Sequence, residues 1–174
     1  MIFYKVLNED GSARIGRGKW YLPQRGRPGK WMPQIKGALI ICQSGYHLCR
    51  RADLLNWLGP VIYQAEPGGE IIKATDKIVA RQARLLRRLD NWTERTARLF
   101  ACDCAERVLP FFERGYPTDT RPREAIETAR RFAAGQAAQR ELAAAGDAAG
   151  DAARAAERKW QTKRLFQYLN GETL

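Results

Sequence analysis

No stretch of this 174-residue sequence approaches the roughly 18 consecutive apolar residues of a membrane-crossing helix. The N-terminus, Met1-Ile2-Phe3-Tyr4-Lys5, lacks a charged segment followed by a long apolar one, so no signal peptide is expected. Neither a phosphate-binding loop nor a nucleophile elbow nor a paired-carboxylate motif occurs. No internal repeat is evident. Cysteine is sparse, at four residues. In the expected setting, the cytoplasm of a bacterial host, these are reduced thiols whose ordinary role is burial. Histidine occurs once, at His47.

Acidic residues are missing from one long segment. Ser12 to Lys36 contains none, yet carries Arg14, Arg17, Lys19, Arg25, Arg27, Lys30 and Lys36. Residues 1–89 hold 16 Lys and Arg against 6 Asp and Glu, whereas residues 90–174 hold 14 against 13. The net charge of +11 therefore resides in the N-terminal half. A one-sided positive field suits an acidic partner, although it also serves solubility.

The segment 12–36 is rich in glycine and proline, which argues for a loop or loose hairpin rather than a helix or long strand. Loops of this length tend to be functional or disordered. Trp20, Tyr21 and Trp31 lie between its cations. Such rings can stack on unpaired bases while the cations meet phosphates. Alternatively, Trp20 and Trp31 fold the loop back onto the core.

What is present is most concentrated from Ala38 to Leu58. Ala38-Leu39-Ile40-Ile41 reads as a buried strand. Cys42-Gln43-Ser44-Gly45 turns the chain, and Tyr46-His47-Leu48-Cys49 leaves the turn. Arg50 to Asp53 opens a short helix with Leu54, Leu55, Trp57 and Leu58 toward a core, stopped by Gly59-Pro60. Cys42, Tyr46, His47 and Cys49, with Glu70, form a candidate pocket. Zinc ligation by Cys42, His47 and Cys49 is conceivable, with Cys102 or Cys104 as fourth ligand. The Cys42–Cys49 spacing is not a zinc knuckle, and Cys102 and Cys104 diverge on a helix, so no metal is expected. A Cys–His nucleophile is the other option, against packing of both thiols across the turn.

Elsewhere, Ile2–Leu7 reads as a strand ended by the turn Asn8-Glu9-Asp10-Gly11. Val61–Ala65 reads as a strand stopped by Glu66-Pro67-Gly68-Gly69, and Glu70–Ala74 as another. Lys77–Leu89 has helical periodicity, with Ile78, Gln82, Leu85, Leu86 and Leu89 on one face. In either conformation Arg81, Arg84 and Arg88 make a basic ridge. From Asp90 on, helix formers dominate. Asn91 is the expected N-cap, with Glu94 three residues on. Phe100, Cys104, Val108 and Phe111 share the expected buried face, and Pro110 is expected to kink or interrupt this helix. A second helix starts near Pro122 and ends at Gly135. A third spans about Ala137 to Leu169, with Gly146 and Gly150 on one face, Trp160, Leu165, Phe166 and Leu169 as its anchor, and Gly171 as cap.

Two resemblances follow from these motifs. Tyr4-Lys5, Cys42-x-x-Gly45-Tyr46-His47-x-Cys49, a helix and the strand Val61–Ala65 resemble a domain family common in phages and prophages, over about residues 2–89. That resemblance implies a turn joining two strands, and a strand rather than a helix at Lys77 to Arg88. The segments Glu94–Phe100, Cys104–Pro110 and Arg121–Glu127 resemble an alanine-rich helical family described as immunity-like, over about residues 94–165. A fainter similarity links Gly45-Tyr46-His47, the Leu54–Leu58 helix and Gly69-Glu70 to ADP-ribosyltransferases. The first strand lacks the Arg or His that such a fold implies.

The expected class is α+β: a small curved, mostly antiparallel sheet with one short helix, then about three helices. The expected domains are 1–89, carrying the basic loop 12–36, and 90–174. The expected function is non-enzymatic, that of a phage- or prophage-associated inhibitor with a counter-defence role. It would occlude an acidic macromolecule, either nucleic acid or a nucleic-acid-handling effector. Its expected contact residues are Arg14, Arg17, Lys19, Trp20, Arg25, Arg27, Lys30, Trp31, Arg81, Arg84 and Arg88. No cofactor and no membrane are expected. The alternatives are an ADP-ribosyltransferase-like enzyme or degenerate nucleotide binder, and an immunity protein that neutralises a toxin through its helical half.

Overall fold

The structure is a computed structural model and describes residues 2–136 and 154–172. The α+β class read from the sequence holds. The chain divides into two compact units, Met1–Trp92 and Thr93–Leu174.

The first unit is built on four antiparallel strands: β1 (Phe3–Leu7), β2 (Tyr46–Leu48), β3 (Val61–Lys73) and β4 (Ile78–Arg88). Their order is β1-β3-β4-β2. The sheet curls until its outer strands meet, because Tyr4 of β1 exchanges backbone hydrogen bonds with Cys49 just after β2, at 2.9 and 2.8 Å. Leu7, Leu48, Val61, Ile78 and Leu85 fill the inside of the curl. A 3-10 turn at Arg51–Asn56 buries Leu54.

Segment 12–36 is not a free loop. Two tight tips project first, the second being Gln24–Arg27, whose end residues exchange backbone bonds at 3.1 and 2.9 Å. The chain then runs along β4. Gly29, Met32 and Ile35 donate their backbone N–H to the carbonyls of Leu85, Ala83 and Arg81. The three-residue spacing of donors is the period of a polyproline-type segment, which suits the flanking Pro28 and Pro33. This strap continues the edge that β2 pairs at Ile78–Ala80.

Several expectations are corrected. Ala38–Ile41 is not a strand: only the single bridge Ile40↔Ser44 forms, and Ile40 and Ile41 are exposed. The β4 edge they would need is occupied by β2 and the strap. Glu66-Pro67-Gly68-Gly69 does not stop the chain, since β3 runs through it with a bulge between Gly68 and Ile71. The last β1 partner is Ala65, so Pro67 sits where β3 has become an edge and no donor is required. At Lys77–Leu89 the strand implied by the phage-family resemblance forms, against the helical periodicity of the residues. That periodicity misleads because Ile78, Val79 and Ala80 are all buried, on both faces of a central strand.

Among the described residues the second unit has three helices: α1 (Glu94–Gly115), α2 (Arg121–Ala133) and α3 (Arg154–Asn170). The N-cap of α1 is Thr93, not Asn91. Thr93 and Thr96 form a capping box, each side chain accepting from the other's backbone N–H. The helix runs through Pro110, which is exposed, and is not interrupted there. Its buried face also differs from expectation, as Phe111 is 62% exposed. Instead α1 buries two stripes. Cys102 and Leu109 pack with Ile126 of α2, and Phe100 meets the Tyr168 ring of α3 edge-on. Pro122 occupies the first turn of α2. After α3, Gly171 donates to Tyr168 O and Glu172 to Gln167 O, the paired bonds of a Schellman cap. Gly146 and Gly150 lie outside the described residues. Among the described residues no helix is long and apolar enough to cross a membrane.

Candidate functional site

In the first unit the cysteine–histidine turn is held by backbone geometry. Cys42 adopts a left-handed φ of 64°. Its N–H donates to His47 Nε2 at 2.9 Å, which fixes that nitrogen as an acceptor and the ring as neutral. Burial, then the charges of Lys5 and Lys77, hold the imidazole below its ordinary pKa. Gly45 explains the glycine of the motif: its φ is 129°, and a Cβ there would meet Val79 Cγ1 at 2.3 Å. Cys49 is buried, and burial pushes its thiol up to about 12, so it stays protonated. All four cysteines are free thiols, with Cys42 exposed.

Tyr46 serves the strap. Its hydroxyl donates to Pro33 O at 2.7 Å, and its ring meets Trp20 edge-on at 5.4 Å. Lys5 lies beneath, its Nζ donating to His47 O at 3.1 Å and standing 5.0 Å from the Trp20 ring centroid. Burial lowers its pKa to about 8. Glu70 is not brought to this group. It lies on β3, across β4 from β2, and pairs with Arg81. Among the described residues no three His, Cys, Asp or Glu side chains are placed to hold a metal.

Of the expected basic segment, Trp31 and the end of the strap meet the ridge of β4. Trp31 lies over the sheet, where a Cβ on Gly68 would meet its ring at 2.9 Å, and the Arg84 guanidinium stands 4.8 Å from its centroid. Arg81 donates to the carbonyls of Ile35 and Gly37 at 2.9 and 2.8 Å. The ridge is already engaged with carboxylates: Arg84 with Glu66, Arg81 with Glu70, and Arg88 with Asp90. Arg14 donates to Leu58 O. Arg17, Arg25, Arg27 and Lys30 are exposed and make no ion pair among the described residues. Lys19 is exposed too, close enough to Asp10 to help lower that carboxyl, after the bonds from Ser12. Trp20 is 6% exposed and belongs to the core, whereas Trp31 is 37% exposed.

The second unit contains a centre that the sequence reading overlooked. Asp103 on α1 is buried and receives three donors: Arg130 of α2 at 2.7 Å, Arg164 of α3 at 2.6 Å and the Tyr168 hydroxyl at 2.7 Å. Burial alone would raise this carboxyl. Hydrogen bonds from Tyr168, Arg130 and Arg164 outweigh it and hold the pKa below the ordinary value. Arg130 also forks onto Glu106 at 2.7 and 2.6 Å. The available signal was one carboxylate three residues after Phe100, on the buried side of α1. Beside it an open groove of about 640 Å³ is lined by Arg107, Pro110, Trp160, Lys163 and Gln167, among others. At the far end of α1, Phe111 and Tyr116 are each 62% exposed, with Arg114 over the Phe111 ring and Phe112 against Tyr116.

A family model described as "Imm-5 like putative immunity protein" matches residues 87–166. The helical region is similar to that family. No curated protein and no solved structure matches the chain. The match supports the immunity-like reading of the helices made from Glu94–Phe100 and the segments after it.

Proposed function

We propose that this is an immunity-type protein, which neutralises a toxin by binding and occluding it and catalyses no reaction itself. The family match over residues 87–166 carries this reading. It favours the toxin-directed alternative over the phage counter-defence role expected first. The two modes of action are alike and differ in the partner occluded.

Physical features of the helical unit are consistent with such a role. Binding by occlusion requires a surface that loses little freedom on association. Asp103 ties α1, α2 and α3 together through its bonds to Arg130, Arg164 and Tyr168, so these helices are organised before a partner arrives. Phe111, Arg114 and Tyr116 offer aromatic and arginine side chains to solvent, the types that dominate binding hot spots. Co-expression of the chain with a panel of bacterial toxin domains tests the reading. At least one toxin should lose its killing. The protection should weaken in a Phe111→Ser, Tyr116→Ser double variant that folds normally. Protection by none of the panel, with the chain well expressed, would count against the immunity reading.

A further inference from the structure

The first unit presents cations on a rigid mount, and this observation is independent of the helical unit. Gln24 and Arg27 are doubly hydrogen-bonded around Arg25-Gly26, the frame of a two-residue hairpin. Both central residues have positive φ, 51° at Arg25 and 74° at Gly26. Such turns favour Asn-Gly, because asparagine tolerates the left-handed region and arginine does so poorly. Arginine therefore occupies a position where its backbone is disfavoured, and its side chain makes no bond that would compensate among the described residues. Backbone strain retained without a structural return points to a task for the side chain.

The surroundings indicate the task. Arg17, Arg27 and Lys30 are likewise exposed and make no ion pair among the described residues, whereas Glu66, Glu70 and Asp53 of this unit are all engaged by arginines. Tyr21, between Arg17 and Arg25 in sequence, is 47% exposed, and Trp31, next to Lys30, is 37% exposed. Trp20, which could also have stacked, is buried. Cations that meet phosphates, set beside partly exposed aromatic rings, are what a single-stranded nucleic acid needs. An acidic protein would also use these cations and rings, but the flat faces of unpaired bases match aromatic side chains set among phosphate-binding cations.

We infer that the hairpin tips and strap of the N-terminal unit form a binding surface for single-stranded nucleic acid, in which Arg17, Arg25, Arg27 and Lys30 contact phosphates while Tyr21 and Trp31 support bases. The inference goes beyond the immunity reading and does not depend on it.

The test uses the full chain and a labelled single-stranded oligonucleotide of mixed sequence, followed by fluorescence anisotropy and thermal melting. Arg25→Asn should move two readouts in opposite directions: the melting temperature rises because the turn is relieved, and affinity falls. The slope of log K against log salt should shrink by about 0.7 for that variant and by about 3 when Arg17, Arg25, Arg27 and Lys30 all become Gln. A charge-matched control with Arg121, Arg123, Arg131 and Lys163 changed to Gln should bind nearly as wild type. Three results would overturn the inference: Arg25→Asn binding as tightly as wild type, the control losing as much affinity as the quadruple variant, or polyglutamate competing as well as unlabelled oligonucleotide. The last would assign the surface to an acidic protein.

Discussion

Asp103 of α1 and Tyr168 of α3 stand 65 residues apart in sequence and are joined by a 2.7 Å hydrogen bond from the phenol to the carboxylate. That bond, with those from Arg130 and Arg164, makes one side chain the common point of three helices. Removing the carboxylate leaves two partly buried guanidinium groups without it. Asp103→Ala should destabilise the helical unit by about 2–4 kcal/mol, less than for a fully buried pair because both arginines retain some solvent. Tyr168→Phe removes one bond to a charged acceptor and should cost about 1.5–3 kcal/mol. Denaturant titration followed by hydrogen exchange in α1 and α3 measures both.

The same carboxylate sets a pH dependence. Its folded-state pKa lies below the ordinary carboxyl value, since the donors outweigh burial. Its stabilisation is therefore complete above the unfolded pKa and is lost as pH falls through the folded one. Acid should loosen the helical unit, and Asp103→Asn should flatten that response.

Lys5 and Cys49 shape the response of the first unit. Lys5 is lowered from 10.5 to about 8 by burial, so above that pH the unfolded chain holds a proton that the folded chain has lost. Stability rises there. Cys49 is raised by burial from 9.0 to about 12 and acts in the opposite direction once pH passes the unfolded thiol value. The unit should gain stability between about pH 8 and 9 and gain less beyond. Lys5→Met should abolish the rise in a urea titration monitored across this range.

The strands whose burial pattern follows their own residues were legible: β1, Tyr46–Leu48, the start of β3, and the helix entered at Pro122. Elements decided by competition for an edge were not. Ala38–Ile41 is as apolar as a strand should be, yet the strap of residues 29–35 bonds to the part of the β4 edge left beyond β2. Glycine and proline in that segment argued for a loop or loose hairpin, and the hairpin tip at Gln24–Arg27 forms, whereas the three-residue donor spacing that lets residues 29–35 line the sheet was not read. The site was legible in part. The charge of residues 12–36 was plain, but burial of Trp20 and exposure of Trp31 depend on which ring meets Gly68 and which meets Tyr46. Asp103 stayed hidden because its partners come from two other helices.

The two tryptophans should respond differently. Trp20→Ala empties a core position and should cost about 3–5 kcal/mol. Trp31→Ala should cost far less. Gly68→Ala should lift the Trp31 ring and red-shift its emission, since a Cβ at 2.9 Å cannot be accommodated unmoved.

Gly45 carries the motif. Gly45→Ala places a Cβ at 2.3 Å from Val79 Cγ1 in a left-handed backbone. It should destabilise the first unit by well over the ~0.5 kcal/mol that bounds ordinary surface substitutions, since strain and clash add. A melting curve decides this, and a variant as stable as wild type would mean that the turn relaxes.

The most direct measurement concerns occlusion. Once co-expression identifies a toxin that the chain protects against, purified chain is titrated into that toxin, and complex formation and residual toxin activity are followed together. An immunity-type protein should form a stoichiometric complex, with activity falling in step with the complexed fraction. Protection in cells with no complex in the titration, or a complex that leaves the toxin fully active, would contradict it.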